Sequence, residues 1–277
     1  MKLSVIVPTS NRQGALTSVR LPVLLYHRVG PPQPGTPPGL TVSPARFERH
    51  VRWLARKGFH GILPADWLRW LKEGTPLPNK PVLLTFDDAY EDLAEFAFPI
   101  LRRYGFGGAV YVVTKRVGET NLWDQAQSSG ALRLMNEEQI RFWAAQGIEF
   151  GAHSRTHPDL TKLPAAELEA EVVGSKRDLS RLLGYPIVSF AYPYGYYNDA
   201  VLNLVRAEFE LAFSVEEGLN YLTGDPHLIR RAYVAPSDPT LAIAWIVRRG
   251  TARNFHEWRI RIGLRSRIRK VLGLSAS

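Results

Sequence analysis

Short apolar runs near residues 22–26, 81–86, 108–114, 148–152, 187–192, 210–214 and 229–234 are separated by longer helix-like segments. Strands that alternate with helices predict an α/β fold, in which helices cover the faces of a mostly parallel sheet. In the first helix-like segment Phe47, Val51 and Leu54 recur at i, i+4 and i+7, behind Ser43-Pro44 as cap and first turn. Asn136, followed by Glu137, Glu138 and Gln139, reads as another helix start. At 277 residues and 45% hydrophobic content the chain can build one large domain with an ample core. It shows no internal repeat and no coiled-coil heptads.

Two of these strands end in chemistry. Pro81–Phe86 runs into Asp87-Asp88, and Ile148–Ala152 runs into His153-Ser154-Arg155-Thr156-His157. Neighbouring strand residues point to opposite faces, so both carboxylates can enter one site only where the strand ends and the backbone turns. Pro158 directly after His157 disfavours a helix there and predicts a loop. One Asp and two His suit a divalent metal with a coordination position left open for water, and the second Asp remains as a base. The pattern predicts a metal-dependent hydrolase. Zinc is the default ion for such ligands, with cobalt, nickel, manganese and iron also admitted.

Thr85-Phe86-Asp87-Asp88-Ala89-Tyr90 and Gly151–Leu160 closely resemble the first two motifs of the polysaccharide deacetylases (carbohydrate esterase family 4, the NodB-homology domain). Phe190-Ala191-Tyr192-Pro193-Tyr194-Gly195 is similar to the third, and the resemblance runs from about Leu21 to Val234. It implies a distorted (β/α) barrel of about seven strands, with its site at the strands' carboxyl ends, and removal of N-acetyl groups from an amino-sugar polymer or glycolipid. By motif position, Asp87 is the expected base, and Asp88, His153 and His157 are the expected metal ligands. The Tyr194 backbone N–H is the expected oxyanion donor.

The motifs depart from the family pattern at three places. Ala89 replaces the usual Gly, and Ala191 stands where an Arg normally orients the base; Arg230 or Arg231 is the candidate replacement. No late acid His is evident, since His227 precedes a strand-like run. Leu21–His27, however, resembles the opening of the biofilm-exopolysaccharide branch, which makes His27 the expected general acid. Tyr90, Trp123, Asp124, Tyr192 and Pro193 are the candidate substrate contacts. The competing reading is a catalytically impaired, glycan-binding member of the same fold.

The remaining sequence bounds context. Cysteine is absent, so disulfides and thiolate sites are excluded. No apolar run approaches the ~20 residues of a membrane span. Met1–Pro8 is too short an apolar stretch for a signal peptide, so the expected location is cytoplasmic or peripheral on the cytoplasmic membrane face. Ser4–Arg12 resembles the opening strand of family 2 glycosyltransferases, and residues 1–20 read as an extension. The expected deacetylase domain covers 21–247. Val29–Leu40, rich in Pro and Gly, is expected to be a loop, either overhanging the site or serving as a solvent-exposed connector. Residues 248–277 form a basic tail: between 248 and 270 nine Arg and Lys face Glu257 alone, while Ile260, Leu264, Ile268 and Val271 form an apolar stripe. That pattern suits either a helix on an anionic membrane surface or one docked on the barrel with its basic face in solvent. Nucleic acid is not an expected partner, because no nucleic-acid motif accompanies the charge.

Overall fold

The computed structural model of the chain describes residues 20–33, 36, 39–124 and 131–253. Eight parallel strands form one curled sheet: β1 (Val23–Tyr26), β2 (His60–Ile62), β3 (Pro81–Phe86), β4 (Ala109–Val112), β5 (Glu149–Ala152), β6 (Ser189–Ala191), β7 (Leu211–Phe213) and β8 (Ala232–Tyr233). Their order is β7-β6-β5-β4-β3-β1-β8, with β2 paired to the first half of β3 and β4 to its end. Among the described residues seven α-helices accompany them: α1 (Pro44–Arg56), α2 (Pro64–Glu73), α3 (Phe98–Arg103), α4 (Glu137–Ala145), α5 (Ala165–Leu183), α6 (Asp199–Glu208) and α7 (Thr240–Arg249). The result is the deformed, incompletely closed (β/α) barrel that the motifs imply.

Two details differ from the sequence expectation. His60-Gly61-Ile62 is an additional strand, too short and too glycine-broken to show a period. The run 229–234 narrows to Ala232–Tyr233, because its first half serves another purpose. Ile229 bridges to Phe213 and Tyr233 pairs with Leu25, so this segment crosses the gap between β7 and β1.

A two-residue period organises the layers. On β3, Val82, Leu84 and Phe86 face the helices, whereas Leu83 joins the barrel interior with Val23, Tyr111, Leu211, Phe213 and Ile229. Phe47, Val51 and Leu54 of α1 are fully buried against the outer layer. Pro44 opens α1, but Ser43 makes no side-chain cap bond. Asn136 caps α4 as expected, accepting the Gln139 N–H at 2.9 Å while Gln139 Oε1 accepts the Asn136 N–H at 2.9 Å.

The loop after β1 is anchored at both ends, since Arg28–Val29 pairs with Thr41–Val42 and Leu40 borders the site cavity. Residues 1–19 and 254–277, with most of the basic tail and its apolar stripe, lie outside the described residues. Among the described residues no helix is long and apolar enough to cross a membrane.

Candidate metal centre and catalytic pocket

Interior parity delivers the site residues. His27 continues the inner face of β1 (Val23, Leu25), Asp87 that of β3 (Leu83, Thr85), His153 that of β5 (Gly151), and Arg231 follows Ile229 by two. Strand pairing extends one residue to hold them: the Asp87 N–H donates to Tyr26 O (3.1 Å) and the His153 N–H to Val112 O (2.9 Å). By parity alone Asp88 would point outward. Its φ of 72°, followed by 56° at Ala89, reverses the chain, and the carboxylate reaches the same site as Asp87.

Six described non-glycine residues have positive φ, and Asp88, Ala89, Ser154, His157 and Tyr194 are five of them. Each such backbone costs roughly 1–2 kcal/mol. Strain of this kind persists only where surrounding bonds impose it. Around His157 those bonds are visible. Glu171 of α5 accepts the Arg155 and Thr156 N–H groups at 2.7 and 2.9 Å, Arg155 pairs with Asp178 at 2.9 Å, and Ser154 Oγ accepts the His157 N–H at 3.0 Å. The His-x-x-x-His segment is thus a pinned loop.

Asp88, His153 and His157 each offer a buried ligand atom, all within 4.8 Å of one another. Asp88 Oδ1 lies 3.7 Å from His153 Nε2 and 3.6 Å from His157 Nε2. Tetrahedral ligands at about 2.1 Å from an ion stand about 3.4 Å apart, so the residues fit a divalent metal. His153 Nδ1 is 2.7 Å from Ala191 O, which can only accept, so Nδ1 carries the proton and Nε2 presents its lone pair. Burial lowers the pKa of His153, and burial with the neighbouring His153 lowers His157 further, so both rings are neutral donors at pH 7.

Beside this cluster Arg231, fully buried, donates to both oxygens of Asp87 at 2.6 and 2.8 Å. Its Nε donates to Ser214 O at 2.8 Å. Burial pushes the Asp87 carboxyl up, but Arg231, His153 and His27 outweigh it and hold it at about 2. Arg230 points away, 3.7 Å from Glu216 at the surface. Of the two candidates, Arg231 is the one placed against Asp87. Burial takes His27 down to about 4 despite the Asp87 charge, so it is neutral at rest.

A cavity of about 300 Å³ opens over these groups, lined among others by His27, Leu40, Trp123, Tyr194 and Tyr233. Tyr194 is 43% exposed and meets His157 edge-on. Three of the expected substrate contacts are placed differently. Tyr90 is fully buried behind Trp123 with Leu132 and Leu134, drawn in by apolar packing and by Asn121 Nδ2 at 3.3 Å. Tyr192 borders the cavity, yet its side chain is buried against Phe190 and Tyr197 with its hydroxyl on His227 O. Pro193 is buried in the turn that turns Tyr194 outward. Trp123 does reach the cavity, and Asp124 ends the same 3-10 turn. His227 bonds Phe209 O at 2.8 Å, behind Tyr192. Glu171, Asp178 and Ser214 were not foreseen, because neither a carboxylate that pins a loop nor a backbone carbonyl that accepts from a distant arginine carries a local sequence signal.

A curled parallel sheet with this cluster at its strand ends defines a hydrolase of the deformed-barrel, carbohydrate-esterase kind. Residues 74–209 match the sequence model of the polysaccharide deacetylases, so this part of the chain is a polysaccharide deacetylase domain. A Staphylococcus aureus (strain MRSA252) poly-beta-1,6-N-acetyl-D-glucosamine N-deacetylase is 28% identical over 190 residues, 64% of this chain and 62% of that protein. The chain therefore spans less than two thirds of that relative. The structure of Streptococcus pyogenes deacetylase PplD in complex with acetate superposes with a TM-score of 0.68 at 25% identity, covering 80% of this chain and 96% of that one. IcaB from Ammonifex degensii gives a TM-score of 0.69 at 25% identity, covering 82% and 96%.

Proposed function

We propose that the protein removes N-acetyl groups from an amino-sugar glycan, either a polysaccharide or a lipid-linked saccharide, with a divalent metal held by Asp88, His153 and His157. The observation that carries this reading is the Asp87–Arg231 pair set beside three convergent ligand atoms on the floor of an open cavity. A divalent ion there, zinc by the donor set or else cobalt, nickel, manganese or iron, supplies Lewis acidity and an acidified water.

The chain's own groups do the rest. Asp87 is ionised at neutral pH, and Arg231 fixes both of its oxygens, so its proton-accepting direction is set before substrate arrives. Held ionised by Arg231, the Asp87 carboxylate would accept the proton of the attacking water. The Tyr194 N–H is assigned to the developing oxyanion. His27 starts neutral, and it must receive a proton before it can give one to the leaving sugar nitrogen. The Asp87 charge beside it favours that uptake. The name of the Staphylococcus relative makes β-1,6-linked N-acetylglucosamine oligomers the first substrates to try.

Acetate release from N-acetylglucosamine oligomers and partially acetylated polymer, by zinc-loaded protein and its Asp87→Asn form, tests the reading. Release by wild type alone is expected. Silence of a zinc-replete wild type across these substrates would favour the glycan-binding alternative.

A further inference from the structure

The two histidines of the cluster are held in different ways. His153 is oriented by a hydrogen bond, Nδ1 to Ala191 O at 2.7 Å. His157 Nδ1 is buried and has no hydrogen-bond partner among the described residues. A metal-binding imidazole is ordinarily fixed by such a partner. Rings take its place here. Trp123 stacks on the His157 imidazole with centroids 4.7 Å apart and planes 27° from parallel, and Tyr194 meets it edge-on at 4.5 Å.

Trp123 is itself firmly seated. Asn121, fully buried, accepts the Leu132 N–H on Oδ1 at 2.7 Å, and its own N–H donates to Leu132 O at 3.1 Å. Bridges from Thr120 to Arg133 and from Tyr90 to Leu134 tie this excursion to the loop carrying Asp87 and Asp88. The indole also packs on the Tyr90–Leu132–Leu134 cluster. One face of Trp123 is therefore occupied by the His157 ring, while the indole still borders the cavity.

We propose that Trp123 is a positioning residue for His157, supplying by stacking the orientation that Ala191 O supplies to His153. The inference rests on the metal-site reading of Asp88, His153 and His157. Aromatic pairs of this geometry contribute about 0.5–1.5 kcal/mol beyond burial, and loss of a ligand's supporting group commonly weakens metal binding about 10–100-fold.

The test is zinc affinity of the full chain, by calorimetry or chelator competition, for wild type and for Trp123→Leu, Trp123→Phe and Leu122→Ala. Circular dichroism first confirms that each is folded, and Trp123→Leu keeps enough bulk to preserve the loop. The proposal expects at least about tenfold weaker zinc binding for Trp123→Leu, recovery to within about threefold for Trp123→Phe, and no change for Leu122→Ala. Wild-type affinity in Trp123→Leu, or equal losses in the Leu and Phe variants, would overturn it while leaving the metal site standing. A wild type that binds no zinc would instead remove the reading on which it rests.

Discussion

Arg231 and Asp87, 144 residues apart in sequence, form a two-pronged ion pair at 2.6 and 2.8 Å with neither side chain more than 4% exposed. The guanidinium enters from the strand-like segment that crosses the barrel's gap, so one residue both closes the fold and orients the proposed base. Removing it leaves a buried carboxylate without compensation. Arg231→Met is expected to cost about 3–5 kcal/mol in urea unfolding, with acetate release lost. Arg231→Lys keeps the charge without the fork, and should recover part of the stability and little of the activity. An Arg231→Met protein as stable as wild type would contradict the assignment.

Asp88, His153 and His157 are assigned to the metal and Asp87 is not. Asp88→Asn, His153→Ala and His157→Ala should each weaken zinc binding by at least tenfold, while Asp87→Asn should bind zinc near wild-type affinity and release no acetate. Calorimetry beside an acetate assay separates the two groups. A zinc-free Asp87→Asn would move Asp87 into the ligand set.

Glu149, at the start of β5, accepts the Ala65 N–H at the first turn of α2 at 3.0 Å. Burial raises its carboxyl from 4.5 to about 7, against the opposing pull of that bond. A folded-state pKa above the unfolded one means the folded chain holds more protons between those values, so stability falls as pH rises from about 4.5 to about 7. Glu149→Gln keeps an acceptor and removes the titration. Its melting temperature should fall less than that of wild type across this window, and parallel pH profiles would show that Glu149 does not titrate there.

Gly151 sits on the inner face of β5, two residues before His153. A Cβ at this position would stand 2.5 Å from a Tyr111 ring carbon and 2.6 Å from Ser189 Oγ. Gly151→Ala is therefore expected to lose about 1–3 kcal/mol by overpacking. The displaced Tyr111 also lies under Arg231, whose guanidinium is 5.7 Å from the ring centroid, so activity should fall with stability. Denaturant unfolding measures the first effect and acetate release the second.

The basic tail carries a prediction that rests on sequence. The 277-residue chain should pellet with anionic liposomes and lose that binding in high salt or on removal of residues 255–277. Equal pelleting of both forms would end the idea.

What was legible along the chain was whatever local rules govern. The strand–helix alternation, the Asn136 cap, the apolar face of α1 and the loop after His153 all follow from short-range period, capping and the proline at 158. Asp87, Asp88, His153 and His157, which the structure brings together, stood out because each lies in a short motif that follows a strand. His60–Ile62 did not, since three residues with a glycine carry no period. Tyr90 misled because a motif position says nothing about which way a ring packs.

By itself, then, the sequence determined the α/β class and the chemical inventory of the site, because both are written in residue type and near-neighbour spacing. Tertiary structure alone decided between Arg230 and Arg231, turned Asp88 inward, brought Glu171 beneath the histidine loop and laid Trp123 against His157. Each of these depends on a left-handed backbone step or on a contact between distant segments, and such contacts are set by how the whole sheet curls and closes.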